Sequence, residues 1–412
     1  MSSAPRLRPL EPIAFEHEGQ RYVAFRDPAE LTPPVELPQA VAMLLTLFDG
    51  QRDIAAVIGR WHELTGEHLP IDFVTRLVDE LTEHMLIDGE PYRAAQAQAL
   101  AEFRALGVRP MVHAPDGYPD QPAACARLLD SLLAKGRAES RTLGTGPVRG
   151  IMAPHIDLGR GGVAYGAAYD ALRDSEADLF IVLGTAHSST CWPAEPPLAS
   201  FTRLDYETPF GPVTTDQRFI DTLVEAYDAA GGDAEELFVD ELVHRGEHSV
   251  EFQMLFLRHV MGDRPFTAVP ILMGSLHDYF ESPGDVGDDD GLGPLLDALY
   301  TAIEAHDGQV CLIAGADWAH VGPRFGADEE VTQEQLQTIA EGEEEPLLAW
   351  LEGDLDRFFG AFACNDNAQN VCSVAGLYAL RALLPDAQAE LLRYDQAFDP
   401  EQTVTFAAAL LR

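Results

Sequence analysis

Met152-Ala153-Pro154-His155-Ile156-Asp157, continued by Leu158-Gly159-Arg160-Gly161-Gly162, places an imidazole directly after a proline and a glycine-rich run just behind it. Proline fixes its own φ and favours extended backbone before it, so this stretch predicts a strand ending on a stiff mount that carries His155. Three further segments set a His or Cys beside a turn: Gly184-Thr185-Ala186-His187, Asp317-Trp318-Ala319-His320 and Asn370-Val371-Cys372. The first two of these follow apolar, strand-like runs, Leu179–Leu183 and Val310–Ala314. Between the apolar runs lie helical patterns at Val163–Arg173, Gln217–Ala229 and Val250–Val260, and a further strand pattern at Thr267–Met273. Strands alternating with helices predict an α/β fold with a mainly parallel sheet covered by helices. Ligands of such sheets collect beyond the carboxyl ends of the strands, the end at which His155, His187 and His320 stand. The reading is that these loops meet around one transition metal.

Composition bounds the alternatives. A chain of 412 residues is expected to form two or three domains with a sizeable core. Lys and Arg total 27 against 68 Asp and Glu, a formal charge of −41, so neither nucleic acid nor an anionic membrane is an expected partner. With 46% hydrophobic residues, wholesale disorder is excluded. Five cysteines without a CxxC pair imply a reducing compartment. Met1–Leu10 has no apolar h-region and no uncharged run reaches membrane-span length, so the expected location is cytoplasmic.

Residues 1–93 read as a small separate module. Arg21–Pro28 resembles a strand closed by a turn, and helices are expected near Pro38–Phe48, Asp53–Thr65 and Ile71–Met85. Asp53 is a natural N-cap, and Phe73, Leu77, Leu81 and Leu86 are expected on one core. Residues 94–107 are Ala- and Gln-rich and read as a linker helix to a domain at 108–412. That domain opens with a turn-dense loop, Val112–Asp120, the amphipathic Ala123–Ala134 and a loop at Gly144–Pro147. Ser282–Gly293 reads as a solvated loop without EF-hand spacing, and the acidic Glu329–Glu345 as a solvated face.

Asp317 lies three residues before His320, where an acid could hold an imidazole's tautomer. In His244-Arg245-Gly246-Glu247-His248-Ser249-Val250-Glu251, Ser249 is the expected cap of a helix from Val250. Glu247, His248 and Glu251 then stand at its mouth as groups that orient a ligand. The order of His and Glu is not that of HExxH zinc peptidases. Cys372 precedes an apolar helix, Leu377–Leu384, and a thiol there is either a metal ligand or a nucleophile. Cys125, Cys191, Cys311 and Cys364 read as structural.

The ordered motifs "APHID" (153–157), "GTAHSS" (184–189), "RGEHSVEFQ" (245–253), "VPILMG" (269–274), "GADWAHVG" (315–322) and "NVCSVAG" (370–376) resemble the Memo family. Its bacterial members are called system protein B of the AmmeMemoRadiSam cluster. The loop "DGYPDQPAACARLL" (116–129) and the closing "VTFAAALL" (404–411) extend the resemblance over about Val108 to Arg412. It implies a fold like that of class III extradiol dioxygenases, with His155, His187 and Cys372 as metal ligands and His320 as acid/base, Asp317 nearby. It also implies iron(II) or copper as cofactor, with zinc compatible, and a redox enzyme acting on an unidentified small molecule or peptide beside a radical-enzyme partner. Ile156-Asp157 and Ser373 stand where many members carry other residues, which bears on the substrate. The N-terminal stretch, through "LLTLFDGQRD" (44–53) and "LTEHMLIDG" (81–89), resembles PqqD-like winged-helix modules that bind leader peptides. Two other classes stay open: a hydrolase with Cys372 as nucleophile and His320 as base, and a non-catalytic binding or adaptor protein.

Overall fold

The computed structural model describes residues 4–139, 146–188, 197–288 and 291–412. Gly144, Thr145, Ser189 and Cys191 therefore lie outside the described residues. The chain divides into two compact units, one running to Ala105, the other from Leu106 to His187 and from Pro197 onward.

In the first unit, strands β1 (Glu11–His17), β2 (Gln20–Arg26) and β3 (Val35–Pro38) form an antiparallel sheet in the order β1-β2-β3. Glu18 and Gly19 both have positive φ, which suits the tight turn of a twisted hairpin. Helices α1 (Gln39–Leu45), α2 (Ile54–Thr65), α3 (Ile71–Glu83) and α4 (Glu90–Ala105) complete the unit. Asp53 caps α2, its carboxylate accepting from Ala56 N at 2.8 Å. One expectation fails here: Phe73 is 40% exposed. The stripe that faces the core is Val74, Leu77, Val78 and Leu81, one residue out of phase with Phe73. The stretch expected as a linker from 94 lies within α4, whose Tyr92 and Phe103 are buried.

The second unit contains β4 (Val108–Arg109), α5 (Pro122–Glu139), β5 (Gly150–Ala153), α6 (Leu158–Asp170), β6 (Leu179–Thr185), β7 (Ala199–Phe201) and β8 (Asp205–Tyr206). Then come α7 (Gln217–Ala229), α8 (His248–Met261), β9 (Thr267–Met273), α9 (Gly293–Glu304), β10 (Val310–Gly315) and β11 (Asp317–Val321). The remainder is α10 (Gln335–Glu352), α11 (Leu355–Ala363), α12 (Val374–Leu383), β12 (Ala389–Ala397) and β13 (Thr403–Leu411). The middle of its main sheet, β5-β10-β6-β9, is parallel, and β13 and β7 flank it antiparallel. β12 pairs along one edge of β13, leaving the other edge to be shared by β5 and β11. This is a mixed α/β unit with a mostly parallel central sheet and helices on both faces.

All seven residues of β6 are buried, the mark of a strand covered on both sides. Leu179, Ile181 and Leu183 enter one core with α7, α9, α11 and α12, whereas Phe180 and Val182 enter the other with α5, α6 and α8. In that second layer α5 and α6 approach to backbone contact, since a Cβ on Gly166 would stand 2.1 Å from Leu132 O. Gly166→Ala is expected to destabilise the unit by about 1–3 kcal/mol, as overpacking does elsewhere, read as a lower urea midpoint; an unchanged midpoint would mean the helices can part freely.

Three sequence expectations need correction. The supposedly solvated face at Glu329–Glu345 hides Glu343, which is 1% exposed. In the loop Ser282–Gly293, Val286 and Leu292 are buried in the first core, so that segment is only partly solvated. Cys125 and Cys311 are buried, but Cys364 is exposed. Among the described residues no helix is long and apolar enough to cross a membrane.

Candidate metal centre

Each donor-bearing loop arises from local sequence. After β5, Pro154 turns the chain and Asp157 caps α6, accepting from Gly159 N and Arg160 N. His155 between them is pinned by its backbone N–H on Asp317 Oδ1 (2.9 Å) and by its ring Nδ1–H on the carbonyl of Gly315 (2.9 Å). A carbonyl only accepts, so Nε2 carries the free lone pair. That Nε2 lies 3.4 Å from Cys372 Sγ, just ahead of Ser373 and α12. His187 follows β6, gives its backbone N–H to Glu247 Oε2 (3.1 Å), and has Nδ1 3.0 Å from both oxygens of that carboxylate, again leaving Nε2 free. One ligand atom each from His155, His187 and Cys372 lies within 4.8 Å of the others.

Two helix N-termini converge on these strand ends. The first belongs to α8, on one face of the sheet, and the second to α12, on the other. The glycines ending β6 and β10 admit α8: a Cβ on Gly184 would meet Ser249 Oγ at 2.6 Å, and one on Gly315 would meet Gln253 Nε2 at 2.7 Å. The cap of α8 is Glu247, not Ser249, because its carboxylate accepts from His248 N (2.8 Å) and Ser249 N (3.0 Å). Ser249 instead gives its hydroxyl to Thr185 O and receives Thr185 N–H, tying β6 to the helix.

The electrostatics are consistent with a thiolate among imidazoles. Burial alone would raise the Cys372 thiol, but His155 and then His187 draw it down to about 6. Burial holds His155 low. For His187 the surrounding protein weighs against the charge, yet Glu247 and Cys372 more than offset it and raise the pKa. Glu247 would likewise be raised by burial but ends well below the usual carboxylate range, held there by His187 and His248.

The remaining expected site residues surround these donors. His248 Nδ1 is 3.1 Å from Glu247 Oε1, and its ring stacks on that of His187 with centroids 4.8 Å apart. His320 lies within β11, and its Nδ1–H goes to Trp318 O at 3.0 Å. Asp317 therefore does not hold that ring nitrogen; it accepts from the backbone of His155, and its own N–H goes to Ser373 Oγ (3.1 Å). Glu251 is buried and fully engaged by Arg109, Tyr118 O–H (2.6 Å), His113 N (3.0 Å) and Val112 N (3.3 Å), so it ties the 109–118 loop to α8. His244 is buried between Tyr206 and Ser200 O, away from any donor cluster. Sequence reasoning missed His113, whose ring meets His248 edge-on at 5.7 Å. The only local signal was a histidine in the turn-dense 112–120 loop. A cavity of about 360 Å³ opens beside His187 and Cys372, walled further on by Leu276, His277, Phe280 and Asn370.

Residues 109–410 match the family model described as "Memo-like protein". The chain belongs to the Memo-like family. A MEMO1 family protein of Aquifex aeolicus is 25% identical over 344 residues, covering 82% of this chain and 83% of its own. Those of Pyrococcus furiosus (23% over 321 residues, 74% and 99% of the two chains) and Thermus thermophilus (29% over 264 residues, 61% and 70%) are similar too. The Memo-like match spans nearly the whole second unit, and the Aquifex alignment is longer than that unit, so it reaches into the first.

Proposed function

We propose that this Memo-like chain is a metal-dependent redox enzyme, dioxygenase-like in its chemistry, in which His155, His187 and Cys372 hold iron(II) or copper. The observation that carries the reading is the donor set: two imidazoles whose Nδ1 atoms are already committed, and a thiol, with ligand atoms within 4.8 Å. Nitrogen and sulfur donors fit iron, copper or zinc and disfavour magnesium and calcium. Three protein ligands leave coordination positions open. When bound, the ion would supply Lewis acidity and one-electron redox capacity at the edge of the cavity.

The chain's own residues do the rest. Asp317 and Gly315 fix the His155 ring, and Glu247 fixes that of His187. His320, with Nδ1–H given away, keeps Nε2 to take up or release a proton, and His248, the first residue of α8, shapes the pocket beside Glu247. Substrate enters the cavity beside His277 and Phe280. The first unit, a small antiparallel sheet with four helices, is proposed as the docking module for a radical-enzyme partner.

Metal analysis of anaerobically purified protein tests the reading. Weakening the group that holds a ligand imidazole costs about 10–100-fold in affinity, so His155→Ala is expected to lose at least that much. Equal metal in wild type and His155→Ala would end the proposal. The approach of Cys372 Sγ to His155 Nε2 at 3.4 Å, a thiol beside an imidazole, favours one second reading, a hydrolase using Cys372 as nucleophile. In that case chelators spare activity and thiol alkylation abolishes it.

A further inference from the structure

Asp317 and His320 are three residues apart, a spacing that sends side chains to opposite faces of a regular strand. In β11 they share a face. Asp317 pairs with Phe406 and His320 with Val404, so Trp318 and Ala319 together oppose the single residue Thr405. This is a β-bulge, an extra residue that reverses the alternation and re-aims the side chains beyond it. A bulge leaves a backbone N–H without its ladder partner, and here that of Ala319 goes to Glu343 Oε1 (2.7 Å) and Thr405 Oγ1 (2.8 Å). Glu343 comes from α10 and also accepts from the hydroxyls of Thr405 (2.5 Å) and Tyr394 (2.5 Å). It is the one inward-facing carboxylate of a helix stretch otherwise rich in solvated acids, and among the described residues no partner there neutralises it with a charge.

We propose that Glu343 is a positioning residue of the centre, locking the bulge that turns Asp317 and His320 onto one face. The proposal rests on the reading of His155, His187 and Cys372 as the centre. Two links join the clamp to it. Trp318, inside the bulge, supplies the carbonyl that fixes the tautomer of His320. Asp317, at its start, holds the backbone of His155 and meets Ser373 beside Cys372. A buried acid is costly to retain unless its hydrogen bonds are all used. This one spends them on the strand that carries the candidate acid/base.

The test reads the ring nitrogens of His320 by ¹⁵N NMR in the metal-free full chain, with His259 as a remote control. In wild type His320 is expected as the Nδ1–H tautomer. E343A is expected to shift His320 to mixed tautomers and leave His259 unmoved, and E343Q, which keeps an acceptor for Ala319, to restore the wild-type signals. If E343A does not fold, the double variant T405A/Y394F, which strips two donors from the same carboxylate and one of the two acceptors from Ala319 N–H, is expected to shift the His320 signals in the same way. A folded E343A (or, failing that, a folded double variant) with wild-type His320 signals overturns the proposal, as does an E343Q that behaves like E343A. Because the signals are read without metal, a failed metal analysis of His155→Ala leaves this outcome separately legible.

Discussion

Glu251→Ala is expected to cost the second unit about 3–5 kcal/mol, the scale on which removing one partner of a buried ion pair acts. The reason is what stays behind. Arg109 is wholly buried, and its guanidinium also serves His244 O (2.9 Å) and Glu247 O (2.8 Å), so it cannot leave to find water. The substitution also strips Tyr118, His113 N and Val112 N of their acceptor and unmoors the loop that brings His113 to His248. Glu251→Gln keeps some of those hydrogen bonds and is expected to lose less. Urea unfolding read by fluorescence measures it, and a loss below about 1 kcal/mol would mean that water reaches the pair. The pH dependence has a definite sign. Burial works to raise Glu251, but Arg109, with help from Tyr118 and His113, holds it below its ordinary value of 4.5. Its contribution is therefore complete above 4.5 and is lost as pH falls through the depressed value in the folded state. The wild-type advantage over Glu251→Ala should shrink only in that acidic window.

The second large effect is expected at Glu247→Ala. That carboxylate caps α8 and holds both the ring and the backbone of His187. Loss of the cap should cost about 0.5–2 kcal/mol. Release of the imidazole should weaken metal binding about 10–100-fold, measured by competition against a chelator of known affinity. The two effects separate at Glu247→Asn. A shorter acceptor is still a good cap but is not expected to reach His187, so stability recovers while affinity does not. Unchanged affinity in both variants would remove Glu247 from the centre.

The parts of this architecture visible in sequence are those that local rules write. Continuous apolar runs closed by Gly or Pro marked β6, β9 and β10, and an imidazole after each of two such runs marked His187 and His320. Contacts made over distance left no trace. Arg109 and Glu251 are 142 residues apart, and nothing in either segment announces the other. Glu343 sits among Glu341, Glu344 and Glu345, where composition argues for solvent and only the phase of α10 argues otherwise. The spacing of Asp317 and His320 gives no warning of the bulge: a regular strand would part the two side chains, and the bulge returns them to one face while the ring Nδ1–H of His320 goes to Trp318 O. Ser249 looked like the cap of α8 because serine is favoured there, but Glu247, two residues earlier, reaches both N–H groups.

The place of β13 has a consequence for how the molecule comes into being. It lies between β5 and β12, so the strand leading to His155 stays open on one side until residues 403–411 arrive, some two hundred and fifty residues later. Pairings of that separation close slowly. A nascent chain would therefore carry that edge of β5 unpaired until β13 is made, and the strand leading to His155 gains its second neighbour only then.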